Sequence, residues 1–303
     1  KNSVRRLIQT ILFHLIRSVL LVLSWVPLKI LHRVGYLWGW ILAKVPNRAR
    51  STTRTNLFLC FPEKSDRDID RLTLQSLQHT ACTALEMGKA WVSPIEETLA
   101  LVTETQGLEE FQKDVNSGCG VILLAPHLSN WEVFGIVASY GMKANFMYKP
   151  PKIRAMDRLL KETRSRSKVN LAPANRKGVA ILLKALKAGE LVGILPDQVP
   201  ERDGGDYAQF FGQPALTMAL ASRLLKRTNA KVYCGFAKRL ANGKGLKLII
   251  MPAQKGVYED DLLNSLQGVN DSVQYCVEMA VEQYQWEYKR FRRQPDGKEL
   301  YRS

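Results

Sequence analysis

A chain of 303 residues with 46% apolar and 24% charged side chains has enough apolar material for a substantial core, which excludes a disordered polymer. Its five scattered cysteines fall in no zinc or redox spacing, which excludes a disulfide scaffold and suits a reducing compartment. The net charge of +16 invites nucleic acid, but residues 1–60 carry ten Lys or Arg, no acid and much apolar sequence, a pattern that points to anionic membrane lipids instead.

Residues 7–28, LIQTILFHLIRSVLLVLSWVPL, form the most apolar stretch. As a helix it reaches roughly 33 Å, enough for a hydrocarbon core of about 30 Å. Arg17 lies near its middle, however, and costs about 2.5–3.5 kcal/mol against roughly −4 to −8 kcal/mol from the apolar residues. Arg6, Thr10, His14, Arg17 and Ser18 recur at three- and four-residue steps, a polar stripe that favours a helix lying in the interface over a single span. The next apolar piece, VGYLWGWILA, carries Tyr36, Trp38 and Trp40, which suit either a headgroup belt or a core. Residues 1–45 read as an anchor and 46–303 as the globular unit.

Ser65 to Val92 has helical spacing. Strand and helix patterns then alternate. GVILLA is a buried strand, EVFGIVASYG a helix, NFMYKP a strand and IRAMDRLLKETRSRSK a basic helix. RKGVAILLKALKAG is a helix closed by Gly189, and LVGILPD a second buried strand. PALTMALASRLLKRT reads as a helix, KVYCGFA and LKLIIM as strands, and 267–293 as one long closing helix. The expected fold is α/β, a mixed, largely parallel sheet flanked by helices, with a membrane-associating helix at the N-terminus. In such sheets sites form at the C-terminal strand ends, where His127 and Asp197 both fall.

His127 follows a proline that stops its strand, in LLAPHLSNWEVFG. A histidine there can take a proton near neutral pH, and Glu132 five residues on can orient it and steady the imidazolium. The competing explanation makes Ser129 and Glu132 a helix capping box with no chemistry. There is no metal-binding HExxH, no Walker sequence, no G-x-S-x-G and no G-x-G-x-x-G. If His127 is a base, the group it activates arrives with a substrate.

APHLSNWE contains the H-x4-(D/E) signature of glycerolipid-type acyltransferases. GELVGILPDQ, FFGQPALTMALASRLLKRT and VEQYQWEYKRFRRQP resemble one branch of that superfamily, the late acyltransferases of lipid A biosynthesis. The resemblance spans nearly the whole chain. It implies catalysis by His127 and Glu132, with no cofactor and no metal. The acyl group would pass from the thioester of acyl carrier protein to the hydroxyl of a 3-hydroxyacyl chain on a lipid A precursor, at the cytoplasmic face of the bacterial inner membrane. It also implies substrate contacts at Arg164, Arg166, Asp197 and Gln198. The basic cluster Lys289, Arg290, Arg292 and Arg293 would steer the acidic carrier protein or touch headgroups. One alternative is a glycerol-phosphate or lysophospholipid acyltransferase, disfavoured by the LPDQ block. A more distant one is a non-catalytic basic protein binding membrane or nucleic acid.

Overall fold

The computed structural model describes residues 2–151 and 153–301, with side chains throughout except at positions 2–7, 164 and 165. The chain opens with helices α1 (Asn2–Trp25), α2 (Leu28–Lys44), α3 (Arg48–Cys60), α4 (Asp66–Trp91) and the short α5 (Ile95–Leu99). Strand β1 (Val102–Gln106), α6 (Leu108–Asn116), β2 (Val121–Leu124), α7 (Trp131–Ala138), β3 (Ala144–Tyr148), α8 (Arg154–Arg166) and β4 (Asn170–Pro173) follow. Then come α9 (Arg176–Lys187), β5 (Leu191–Ile194), the hairpin β6 (Gly205–Phe210) and β7 (Gln213–Met218), α10 (Leu220–Leu225), β8 (Lys231–Arg239), β9 (Leu246–Pro252) and α11 (Leu262–Glu278).

Seven strands form one sheet in the order β1-β9-β8-β2-β5-β3-β4, parallel throughout except for the β8–β9 pair. This is the expected α/β class. Its inner strands are buried on both faces, so they read as continuous apolar runs. Alternation still sorts them. Ile122 and Leu124 of β2 join Val192, Phe236, Trp286 and Phe291 on one face, while Val121 and Leu123 join Phe111, Val133 and Phe134 on the other. Ser65 caps α4 by accepting from the Asp68 amide, as its position before the helical pattern suggests.

Two expectations fail here. The segment 213–228 begins as strand β7, paired with β6, and becomes helical only at α10. Pro214 in that strand pairs across from Gln209 in the isolated two-stranded hairpin, where an edge position tolerates a missing donor. The long closing helix stops at Glu278. Beyond it the chain is irregular because it must bury Tyr284, Trp286 and Phe291 together, whereas a helix would turn Trp286 to the face opposite Tyr284 and Phe291. That irregular stretch also supplies backbone bonds to the loop carrying His127, as described below.

The first two helices pack on α4 through residues without side chains. A Cβ at Gly39 would lie 2.3 Å from the Gln78 Cα, one at Gly35 2.6 Å from the Cys82 sulfur, and one at Gly88 2.4 Å from the Leu20 carbonyl. Small residues let helix backbones approach this closely. Helix α1 has three faces. Phe13 and Leu20 are buried, with the Arg158 guanidinium of α8 stacked 3.9 Å from the Phe13 ring centre. Thr10, His14, Arg17 and Ser18 are exposed and polar. Ile8, Ile11, Leu15, Val19 and Val22 form an exposed apolar stripe. Residues 8–25 are the one segment, among those described, long and apolar enough to cross a membrane, with mean hydropathy 1.6 and 17% of its residues buried. Tyr36 packs edge-on against His79, whereas Trp38 and Trp40 are nearly half exposed, so the aromatic trio divides between core and surface.

Candidate active site

β2 and β5 are neighbours in register, with Leu124 opposite Ile194 and the Ala125 amide donating to the Ile194 carbonyl at 2.9 Å. Each strand ends with two residues and a proline spacing in common: Leu124-Ala-Pro-His127 and Ile194-Leu-Pro-Asp197. His127 and Asp197 therefore leave two adjacent strands at the same step, and they meet. The Asp197 carboxylate takes both N–H groups that His127 offers on that side. The backbone amide donates to Oδ2 at 2.8 Å, and ring Nδ1 pairs with Oδ1 at 2.9 Å. The buried Tyr284 lies near the same carboxyl, and burial first, then that carboxylate's charge, pushes the phenol up from its ordinary value. Burial disfavours the Asp197 charge, but its interaction with the His127 imidazole and these N–H bonds outweigh it and hold the carboxyl below its ordinary value.

With Nδ1–H committed to Asp197, Nε2 carries the free lone pair. The Gln198 side-chain amide lies 3.1 Å from it and donates there. Trp131 packs against the ring at 5.0 Å between centres. That indole also borders two spaces. One is a cavity of ≈ 190 Å³ with Thr80, Thr83, Met87, Gln285 and Glu287 in its wall. The other is an apolar slot between Trp131 and the strand ends, lined by Leu123, Ala125, Phe146 and Leu195. Trp131 thus links the His127 ring to a mixed cavity on one side and an apolar slot on the other.

The loop after His127 is held as an extra piece of sheet. The Ser129 amide donates to the Gln283 carbonyl at 2.8 Å, and the Gln285 amide to the His127 carbonyl at 3.1 Å. Ser129 has φ +56° and its hydroxyl accepts from the Arg239 amide at 3.1 Å, so it does not cap α7. Asn130 does, accepting from the Val133 amide at 3.0 Å. Glu132 is buried in the first turn of α7, where a carboxylate is favoured by the helix N-terminus. The carboxylate on the His127 ring nitrogen is Asp197, a pairing that needs the sheet and that no local spacing reveals.

Behind this loop lies a buried ionic network that sequence reading missed. Arg239 and Glu86 are both almost fully buried and make two bonds, Nε to Oε1 at 2.6 Å and Nη2 to Oε2 at 2.7 Å. Glu86 also accepts from His32 of α2 at 2.7 Å and from Asn130 at 3.0 Å. Burial works against the Glu86 charge, but Arg239 prevails and lowers its pKa to about 2. His79 accepts from Arg239 at 3.0 Å; burial and that cation lower its pKa to about 3.

The Arg164 side chain lies outside the described residues. Arg166 donates to the carbonyls of Trp91 and Ser93 at the end of α4, which ties α8 to α4. Arg290, expected to face a partner, is buried and donates to the Leu216 carbonyl at 2.7 Å and the Thr217 hydroxyl at 3.1 Å, so it holds β7 instead.

A histidine clamped by a carboxylate at the parallel strand ends, beside a tryptophan that borders a mixed cavity and an apolar slot, marks the candidate site. The chain belongs to the bacterial lipid A biosynthesis acyltransferase family, whose model matches residues 1–293. It is 27% identical over 283 residues to the lipid A biosynthesis lauroyltransferase of Escherichia coli K12, covering 92% of this chain and 91% of that protein. It is 26% identical to the palmitoleoyltransferase of the same strain, covering 87% and 91%, and 26% identical to its myristoyltransferase, covering 88% and 81%.

Proposed function

We propose that this protein transfers a fatty acyl group of the lauroyl or myristoyl class from acyl carrier protein to the hydroxyl of a 3-hydroxyacyl chain on a lipid A precursor. The observation that carries the reading is the two-point grip of Asp197 on His127, which leaves Nε2 as the proton acceptor beside Trp131, whose indole borders both spaces. The hydroxyl displaces the Gln198 amide from Nε2 and gives up its proton there. The alkoxide oxygen bonds to the thioester carbonyl carbon, the C–S bond breaks, and the thiolate takes the proton back from the imidazolium. Asp197 fixes the tautomer and stabilises the imidazolium, and Glu132 adds a second negative charge at the start of α7. Gln198, once displaced, is placed to donate to the carbonyl oxygen. Arg164 takes a phosphate of the acceptor, while Arg166, its guanidinium held by the Trp91 and Ser93 carbonyls, keeps α8 in place. No cofactor enters the steps.

Residues 1–45 serve as a monotopic anchor and 46–303 as the catalytic unit, at the cytoplasmic face of the inner membrane. The exposed stripe of α1, with Trp38 and Trp40 of α2, supports this. A spanning α1 would have to leave its packing on α4 and carry Arg17 into hydrocarbon. Incubation with a tetraacylated lipid A precursor and lauroyl- or myristoyl-carrier protein is expected to add the mass of one acyl chain. Mass gain on lysophosphatidate alone would replace the acceptor assigned here.

A further inference from the structure

We propose that the cleft between the β6–β7 hairpin and the C-terminal segment is the docking surface for the acyl donor, its occupant an acidic carrier protein bearing the thioester on a phosphopantetheine arm. The proposal rests on the acyl-transfer reading and adds the surface on which the donor sits. The cleft holds ≈ 490 Å³ and sets Arg202, Arg292, Arg293 and Lys298 against two acids, Asp206 and Glu299. Lys149 stands nearby, 3.1 Å from Glu201.

Two of the cationic heads are held in place. Arg293 donates to the Pro200 carbonyl at 2.9 Å, and the Arg292 guanidinium lies 5.6 Å from the Tyr288 ring centre. The field they create reaches the neighbouring loop, where Lys149 first, then Arg293 and Arg292, hold the Glu201 carboxyl below its ordinary value.

The same loop joins the cleft to the chemistry. Gln198 touches His127 and Arg202 lines the cleft, so at most ~14 Å of extended chain separates them. The Val199 amide donates to the Tyr288 hydroxyl at 2.9 Å, which ties this loop to the C-terminal segment. A phosphate held at the cleft thus leaves a long, flexible arm able to bring its thioester to Nε2.

A lipid surface fits elsewhere. Of the 20 exposed large apolar side chains among the described residues, 13 lie in residues 8–45, and none lies in residues 182–257 or beyond 275. A face that is cationic without exposed apolar bulk favours a soluble anionic partner over a bilayer.

The test uses the full chain in detergent and one acyl group on three donors: carrier protein, coenzyme A and pantetheine. Arg202→Glu with Arg292→Glu is expected to raise KM for the carrier-protein donor about 10- to 100-fold and to flatten the salt dependence of kcat/KM. Its preference for carrier protein over pantetheine thioester should fall by a similar factor. Lys187→Glu, at the end of α9 on the opposite pole of the sheet, serves as the charge-change control. Should the double reversal lower Tm, Arg202→Gln with Lys298→Gln, both exposed, replaces it. An equal loss on coenzyme A and carrier protein assigns the cleft to free phosphate groups and overturns protein docking. Weakened vesicle binding with intact donor kinetics assigns it to headgroups and also overturns the proposal. No turnover by the unmodified protein with any donor removes the acyl-transfer reading itself.

Discussion

His127 is oriented by a residue 70 positions away, and the consequence is measurable. His127→Ala should abolish acyl transfer while leaving Tm near that of the unmodified protein, since the ring stands beside Trp131 at the strand ends and outside the apolar core clusters. Asp197→Asn keeps the shape of the side chain but can present N–H where the carboxylate accepted. Its kcat should drop on the order of 10³–10⁴-fold through loss of the tautomer and of charge support. Comparison with Glu132→Gln in the same assay separates the two carboxylates: the one whose loss flattens the imidazole limb of the kcat/KM–pH profile is the orienter. Activity of Asp197→Asn equal to the parent would remove the clamp from the mechanism. His127 and Asp197 were both legible as strand-end residues in LLAPH and GILPD. Their pairing was not, because it depends on β2 and β5 lying side by side in register. Glu132, by contrast, is visible from spacing alone.

At the scale of elements, the helix pair α1 and α2 carries two opposite demands. One face must be small enough to meet α4 at backbone distance, and another carries a row of exposed apolar side chains that the proposed anchor would set in lipid. Gly39→Ala places a methyl group 2.3 Å from the Gln78 Cα, so it should destabilise the helix packing by about 1–3 kcal/mol, readable in a denaturant titration. Leu15→Lys with Val19→Lys changes only the exposed stripe. It should leave Tm nearly unaltered and move the protein from the membrane pellet to the high-salt supernatant. Retention through a high-salt wash would place the membrane contact elsewhere. The polar stripe of α1 was legible from three- and four-residue spacing. Its apolar complement was divided into buried and exposed rows only by packing against α4 and α8. The β6–β7 hairpin was the clearest misreading, since PALTMALASRLLKRT has helical composition and only its pairing with 205–210 makes its first part a strand.

Over the whole molecule, the Arg239–Glu86 network connects α2 to the His127 loop. His32 comes from α2, Glu86 and His79 from α4, Arg239 from the end of β8, and Asn130 from the cap of α7 beside His127. Removing one partner of such a pair leaves an uncompensated buried charge and costs about 3–5 kcal/mol, so Arg239→Met should lower both Tm and activity. The network also sets acid sensitivity. His79 falls from an ordinary value of 6.5 to about 3 on folding, so the unfolded chain binds its proton more readily. Its contribution is complete above pH ~6.5 and is lost as pH falls from there toward 3. Glu86, lowered to about 2, adds a loss that begins as pH falls through its ordinary value of 4.5 and runs on toward 2. His79→Gln should therefore flatten the stability–pH curve between about 6.5 and 4.5 and leave the steeper loss below it.

The amino-acid order by itself determined the α/β class, the apolar basic N-terminus, the strand ends at His127 and Asp197, and the family. Each of these depends on composition or on spacing within one element, where periodicity and proline act locally. Only the tertiary structure decided which carboxylate holds the imidazole, that Arg290 is interior, that 284–301 abandons helix to brace the His127 loop, and that Glu86 meets Arg239. Those outcomes depend on which segments become neighbours, and desolvation, charge and shape are settled between segments 70 to 150 residues apart, beyond the reach of any local pattern.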